Sequence, residues 1–512
     1  MTPTSAAWFA FLAAVYLVYW PLARFRTLAV GVILLANWLL YARWDLRYLA
    51  LIPAASLADY AIAHALDRAS GPFLRRLLVS ASLAINLGLI VSLKYTGWVL
   101  PLSLSFYAFQ SLTGTLDVYR RDARPASSLL AHLAAVSFFP TTLSGPITRV
   151  STLAGQLEAP AKPLAADDGG RALFLIGLGL LKKLAIADYL AANLVDRVFD
   201  FPNLYTAAET AIAVVAYAFQ LYYDFSGYTD IAIGSALLLG LNLPRNFRQP
   251  YLAESLPDFW RRWHITFSNW LRDYLYFSLP GLRSRHRIIP ALNLLITMIL
   301  GGLWHGAGWN FLIWGLLHGV ALTAARLWGN TRTAEPAPRP CALLRGRGGR
   351  RAANTLLTFL YVCFAWIFFR APDPESAWAI LARLASFTFS LANISGTLAL
   401  VLVIAAAGHA VPSKWYDRGS ELLRGAPVLC AGRRAGRACA VPPVCGLDRR
   451  RAVHLHSVLN HDAAATHARH RDRGRLPLPG PPYPAVPSSR WNRIDIGGRV
   501  ARRDAAAVGE GG

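Results

Sequence analysis

Charge is scarce in this 512-residue chain. Only 16% of its residues are Asp, Glu, Lys or Arg, against about 25% in an ordinary soluble domain. Acidic residues are the scarcer sign, 28 against 52 Lys and Arg, which leaves a net charge of +24. The five cysteines show no metal-ligand spacing, so the sequence supports neither a zinc site nor a disulfide framework. There is no P-loop, no Gly-rich dinucleotide fingerprint and no internal repeat. No Lys or Arg precedes Arg24, so the N-terminus lacks the basic region of a cleavable signal peptide.

What the chain has instead is apolar sequence in blocks. Hydrophobic residues make up 55% and the mean hydropathy is +0.36. Runs without charges occupy Trp8–Leu22, Leu28–Tyr41, Leu77–Leu93, Ala172–Leu181, Ala211–Tyr223, Leu292–Leu303, Phe311–Leu322, Leu356–Phe369 and Leu398–Ala407. With their flanks, most approach the roughly 20 residues needed to cross a bilayer. The expectation is an all-α polytopic membrane protein with about ten to twelve transmembrane or re-entrant helices. Arg24 and Arg26 follow the first run, which places the N-terminus outside and Arg24 in the cytoplasm. Other basic residues cluster at span ends, as in Arg283-Ser-Arg285-His-Arg287, or in loops such as Gly329–Arg351, read as cytoplasmic. There they set topology and meet anionic lipid headgroups, so the net charge does not imply a nucleic acid partner. Residues 1–410 thus form one membrane domain and 411–430 its end. Residues 431–512, rich in Arg, His, Pro, Gly and Ala with no apolar period, form a basic tail. That tail reads either as disordered or as the product of a slipped reading frame. His454-Leu-His-Ser-Val-Leu-Asn460 can be encoded so that a one-nucleotide shift reads Phe-Ile-Tyr-Thr-Val-Phe-stop.

Ionisable residues inside apolar sequence are costly and mark functional sites. Three stretches concentrate them. Gln220-Leu-Tyr-Tyr-Asp224-Phe-Ser-Gly-Tyr-Thr-Asp230 places two carboxylates in membrane-embedded sequence, with Arg245 and Arg248 as candidate partners; a buried cluster that fixes helix packing is the plain reading. In Pro257–Tyr276, Trp263, Phe267, Trp270 and Tyr274 recur at helical spacing, which predicts an interfacial or re-entrant amphipathic helix. His264 lies one step from that stripe. Finally, Gly301-Gly-Leu-Trp304-His305-Gly306-Ala-Gly308-Trp309-Asn310 breaks an apolar run at glycines. Irregular backbone at membrane depth requires protein or water around it, and a histidine there can act as a general base near neutral pH.

In order along the chain, Ser105-Phe-Tyr-Ala-Phe-Gln110 with Asp117-Val-Tyr-Arg120, Phe138-Phe-Pro140 with Gly145-Pro146, Lys182-Lys183…Asp188, Tyr223-Asp-Phe-Ser-Gly-Tyr228, Phe259-Trp-Arg-Arg-Trp-His264 and Trp304-His305-Gly306 form a series. The series resembles the membrane-bound O-acyltransferase superfamily, and within it the alginate O-acetylation branch, over about residues 30–410. The resemblance implies a ring of tilted helices around a thinned centre. It implies transfer of an acyl group, acetyl in that branch, toward hydroxyls of an exopolysaccharide such as alginate in a bacterial inner membrane. His305 then falls on the active-site histidine and His264 on a second, less strictly required one; His318 matches a recurrent position that reads as structural. Acetyl-CoA or an acyl-carrier thioester would be the donor, arriving from the cytoplasmic side, with no metal or tightly bound cofactor. Arg261 and Arg262 are candidates for the donor's phosphate, or equally headgroup anchors. A polysaccharide or a periplasmic acetyltransferase would be the partner on the outer side. Members of the branch end in a Phe-Ile-Tyr-type sequence, which this chain carries only in the shifted frame. A transporter of acyl groups, or a non-catalytic scaffold of a polysaccharide-modifying complex, is the competing class; the absence of an inverted repeat speaks against transport.

Overall fold

A computed structural model describes residues 2–95 apart from 44, 103–281 apart from 143, and 286, 288–331, 347–412, 415 and 419. Among these residues the secondary structure is helical throughout, with no strand. Each of the nine apolar runs lies within a helical segment. Five helices are long and apolar enough to cross a bilayer: Tyr48–Arg68, Pro72–Val91, Ile288–His305, Trp309–Trp328 and Gly349–Arg370. Ala6–Leu22, Arg26–Ala42, Leu129–Thr142 and Gly396–Ala410 are shorter and also apolar. Helical structure extends to Thr331 and resumes at Arg347, which takes in both ends of the segment read as a loop; the rest of that loop, and the whole of 431–512, lie outside the described residues.

The helix Tyr48–Arg68 is absent from the uncharged runs because Asp59, His64 and Asp67 interrupt it. Asp59 is fully buried and receives the Ser82 hydroxyl at 2.7 Å, the Asn86 amide at 2.7 Å and the Ser111 hydroxyl at 2.6 Å. A carboxyl group buried at this depth persists because three donors from two neighbouring helices replace its water.

Small residues set the closest helix contacts. The helix Ala166–Leu180 continues through π-helical turns at Leu181–Ala187 and Ala191–Val195 and packs on the 32-residue helix Ala207–Leu238. A Cβ on Gly179 would collide with the Gly227 carbonyl oxygen, and one on Gly227 would stand 2.7 Å from that of Gly179. Only glycine permits two backbones to approach so closely. The contact brings Lys182 to Asp230 at 2.6 Å, and Lys183 to both Asp224 at 2.5 Å and Asp188 at 2.7 Å. The two carboxylates therefore pair with lysines from the neighbouring helix.

Ile288–His305 and Trp309–Thr331 form an antiparallel hairpin by the same device. A Cβ on Gly302 would collide with the Phe311 carbonyl oxygen, and one on Gly315 would meet the Met298 carbonyl oxygen at 2.6 Å. The residues between the helices, Gly306 to Gly308, make the turn.

Candidate active site

His305 is the last residue of its helix, half-buried where the hairpin turns. Its ring is caged by aromatics: Trp304 at 4.7 Å between centroids, Phe369 at 4.9 Å, Trp314 at 5.3 Å and Phe267 at 5.8 Å. Asn310 secures the turn from the far side, its amide donating to the Ala371 carbonyl at 2.5 Å. Trp309, at the mouth of the turn, is 71% exposed.

His264 arrives from a different part of the chain. The stretch predicted as one amphipathic helix is broken: Leu256–Trp260 and Ile265–Trp270 are separate short helices, and a π-helical turn follows at Leu271–Leu275. The break falls on His264, whose φ is +43°, a left-handed conformation uncommon outside glycine. Of the two placements expected for the aromatic stripe, interfacial or re-entrant, its burial speaks against the interfacial one. Trp263, Phe267, Trp270 and Tyr274 are all buried in the protein, not spread on a membrane surface. Three of them form a row from Tyr274, over which Arg120 and Arg149 stack, through Trp270 and Phe109 at 4.0 Å, to Phe267 and Trp304 at 4.6 Å, while Trp263 packs on Phe247 and Trp366 at 5.1 Å each.

Phe267 joins the two histidines. Its ring lies 5.0 Å from that of His264 and 5.8 Å from that of His305. The structure thus brings together the two residues singled out in sequence, 41 positions apart, beside one hairpin turn. His318 is one layer further out: Trp314 stands between it and His305, 5.0 Å from His318, and Trp260 donates its indole N–H to His318 Nδ1 at 3.4 Å.

Arg261 and Arg262 are held by an acidic neighbour. Both pair with Asp258, at 3.4 Å and 2.9 Å. Burial would raise the Asp258 carboxyl, but the hydrogen bond and charge of Arg262, with Arg261 beside it, hold it below the usual carboxylate range. Arg261 remains half exposed. One element of the site is not evident in sequence. Asn246, in the connection after Ala207–Leu238, receives the Thr266 backbone N–H at 3.2 Å and lies 3.1 Å from His264 Nδ1. Phe106 and Phe225 close over His264 at 6.2 Å and 4.7 Å. A lone Asn in a Pro- and Arg-flanked connection carries no periodicity that would single it out, whereas Phe106 and Phe225 stand in the stretches Ser105–Gln110 and Tyr223–Tyr228 of the series.

The sequence pattern of the MBOAT, membrane-bound O-acyltransferase family, matches residues 98–344, a span that contains both histidines. A probable alginate O-acetylase AlgI of Azotobacter vinelandii is 35% identical over 399 residues, covering 72% of this chain and 75% of that protein. A peptidoglycan O-acetyltransferase of Helicobacter pylori is 33% identical over 392 residues, 68% of this chain and 72% of its own length. A teichoic acid D-alanyltransferase of Bacillus subtilis matches at 27% over 282 residues, 52% of this chain and 67% of that protein. With polytopic helices, a caged histidine pair and relatives of this identity and coverage, the chain belongs to the membrane-bound O-acyltransferase family.

Proposed function

We propose that this protein is an inner-membrane O-acetyltransferase that moves acetyl groups toward hydroxyls of an exopolysaccharide such as alginate. The observation that carries the reading is the convergence of His264 and His305 on the Phe267 ring at a glycine-built turn. The functions of the relatives, O-acetylation of alginate and of peptidoglycan, support acetyl as the group and a cell-envelope polymer as its destination. In the proposed step a ring nitrogen of His305 takes the proton of a hydroxyl as its oxygen attacks the acyl carbonyl of a thioester. The carbon–sulfur bond breaks, the thiolate leaves, and the proton on His305 passes to it. Positioned general-base catalysis of this kind contributes about 10²- to 10⁴-fold. The hydroxyl belongs to the polymer itself or to a periplasmic acetyltransferase that relays the group. Acetyl-CoA or an acyl-carrier thioester supplies it from the cytoplasmic side, where Arg261, paired on one side only with Asp258, is open to a phosphate.

Polymer-bound acetate in a deletion strain complemented with the wild type or with His305→Ala, at matched membrane expression, tests this reading. Loss of about 10²-fold or more in His305→Ala is expected. Acetylation at the wild-type level would remove His305 from the chemistry and leave a transporter or scaffold role in its place.

A further inference from the structure

The hydrogen bonds around His264 admit only one arrangement of protons on a neutral ring. Asn246 is 1% exposed and His264 2%. One side-chain atom of Asn246 faces three groups: the Thr266 backbone N–H at 3.2 Å, the Thr266 hydroxyl at 3.0 Å and His264 Nδ1 at 3.1 Å. A backbone N–H can only donate, so the Asn246 atom there is the amide oxygen and not the nitrogen. The Thr266 hydroxyl oxygen is itself occupied by the Ile147 backbone N–H at 3.0 Å, which leaves its hydrogen for Asn246. An amide oxygen can only accept, so Nδ1 of His264 must carry a hydrogen. The neutral imidazole has one hydrogen to place, so Nε2 is a bare lone pair. That nitrogen is buried and has no hydrogen-bond partner in the structure. The Ile265 backbone N–H, donating to the Asn246 carbonyl at 2.8 Å, ties the two segments together again beside the ring.

We infer that Asn246 is a positioning residue that locks His264 as the Nδ1–H tautomer, leaving Nε2 open to accept a hydrogen from an O–H or N–H of a bound substrate. The tautomer stands on the hydrogen bonds alone, whereas the substrate contact rests on the acyl-transfer reading above. The assignment gives the two histidines different parts. His264 receives a hydrogen bond and does not donate one to the oxyanion that forms on the acyl carbonyl, so that donor must come from elsewhere in the site.

The two residues can be tested against each other. Asn at position 264 tolerates a left-handed backbone better than most residues and keeps an N–H for Asn246, while lacking the Nε2 lone pair. His264→Asn should therefore reach the membrane at normal levels and unfold at the wild-type temperature. Its acetyl transfer should fall by about 10- to 100-fold, the worth of one buried hydrogen bond. Asn246→Ala should lose activity in the wild-type background and lose nothing further in the His264→Asn background. If Asn246→Ala costs as much in both backgrounds, Asn246 acts independently of the ring and the inference fails. Wild-type activity in His264→Asn would remove the substrate contact. Nitrogen-15 spectra of the wild-type protein, with His264 assigned by its loss in His264→Asn, should show a protonated Nδ1 and an unprotonated Nε2. The reverse would overturn the tautomer whatever the activities. If polymer acetate is unchanged in both His305→Ala and His264→Asn while the spectra show the expected tautomer, it is the acyl-transfer reading that falls.

Discussion

Phe267 bears a ring with neither charge nor hydrogen-bonding group, and both histidines pack against it. A caged imidazole keeps one orientation, which matters more to proton transfer than nearness alone. At the same scale, the most enclosed ion pair among the described residues is Lys182 with Asp230, their side chains 9% and 18% exposed. Removing one member strands the other in a low-dielectric setting, while replacing both with apolar groups leaves no orphan charge. Lys182→Met should cost about 3 kcal/mol or more of stability, and adding Asp230→Leu should restore most of it. The measurement is thermal unfolding of the detergent-solubilised protein. Equal losses in the single and double variants would mean that packing, not charge, holds the two helices together.

The scale of the element is governed by glycine. Gly302 and Gly315 face backbone atoms of the opposite helix at distances that no Cβ can occupy, and those atoms cannot rotate away. Gly302→Ala must therefore separate the hairpin that carries His305, at a cost of about 1–3 kcal/mol for overpacking and with loss of acetyl transfer. Gly31, within Arg26–Ala42, is the opposite case: a Cβ added there would have no neighbour within 4 Å. Gly31→Ala should leave activity intact and hold or raise the unfolding temperature, because alanine is the better helix former by roughly 0.5–1 kcal/mol. The contrast is the test: similar effects at both positions would show that the close hairpin contact does not position His305. The motifs of the family series acquire their purpose here as well. Asp117 accepts from the Tyr274 hydroxyl at 2.6 Å and faces Arg149 at 3.5 Å, while Arg149 reaches Asp273 at 2.9 Å. Ile147, next to Gly145-Pro146, donates to Thr266, and Gln110 accepts from the Thr148 backbone N–H at 3.3 Å. Stretches far apart in sequence are thus clasps on the segment that presents His264.

At the scale of the molecule, the basic residues and the helix contacts together define two faces. Trp20, near the end of the first helix, donates its indole N–H to the Leu238 carbonyl at 3.0 Å, so the end of Ala207–Leu238 lies beside Arg24. With 32 residues, that helix is about 48 Å long, more than the roughly 30 Å of a bilayer core. Its start, beside Phe201 and Tyr205, therefore lies toward the opposite face from Arg24. Cysteines introduced at Phe201, which is 63% exposed, and at Asn242, also exposed, should differ in a background without native cysteines. An impermeant maleimide added outside the inner membrane should label position 201 and spare 242. Labelling of 242 alone would invert the topology read from Arg24 and Arg26.

The amino-acid sequence by itself determined the class of molecule and the identity of its candidate catalytic groups. Continuous apolar runs of this length are buried in lipid as helices, which satisfy their own backbone groups, whereas the strands of a membrane barrel are about ten residues of alternating polarity. A histidine at a glycine break is conspicuous against such a background. Tertiary structure decided how these pieces meet. It paired Asp224 and Asp230 with lysines across a glycine contact, turned the aromatic stripe inward, and set Asn246 against His264. None of these has a local signature, because each depends on a partner supplied from elsewhere in the chain. Periodicity records which side of a helix is apolar, whereas a hydrogen bond or a ring contact is a property of two segments and exists only once both are in place.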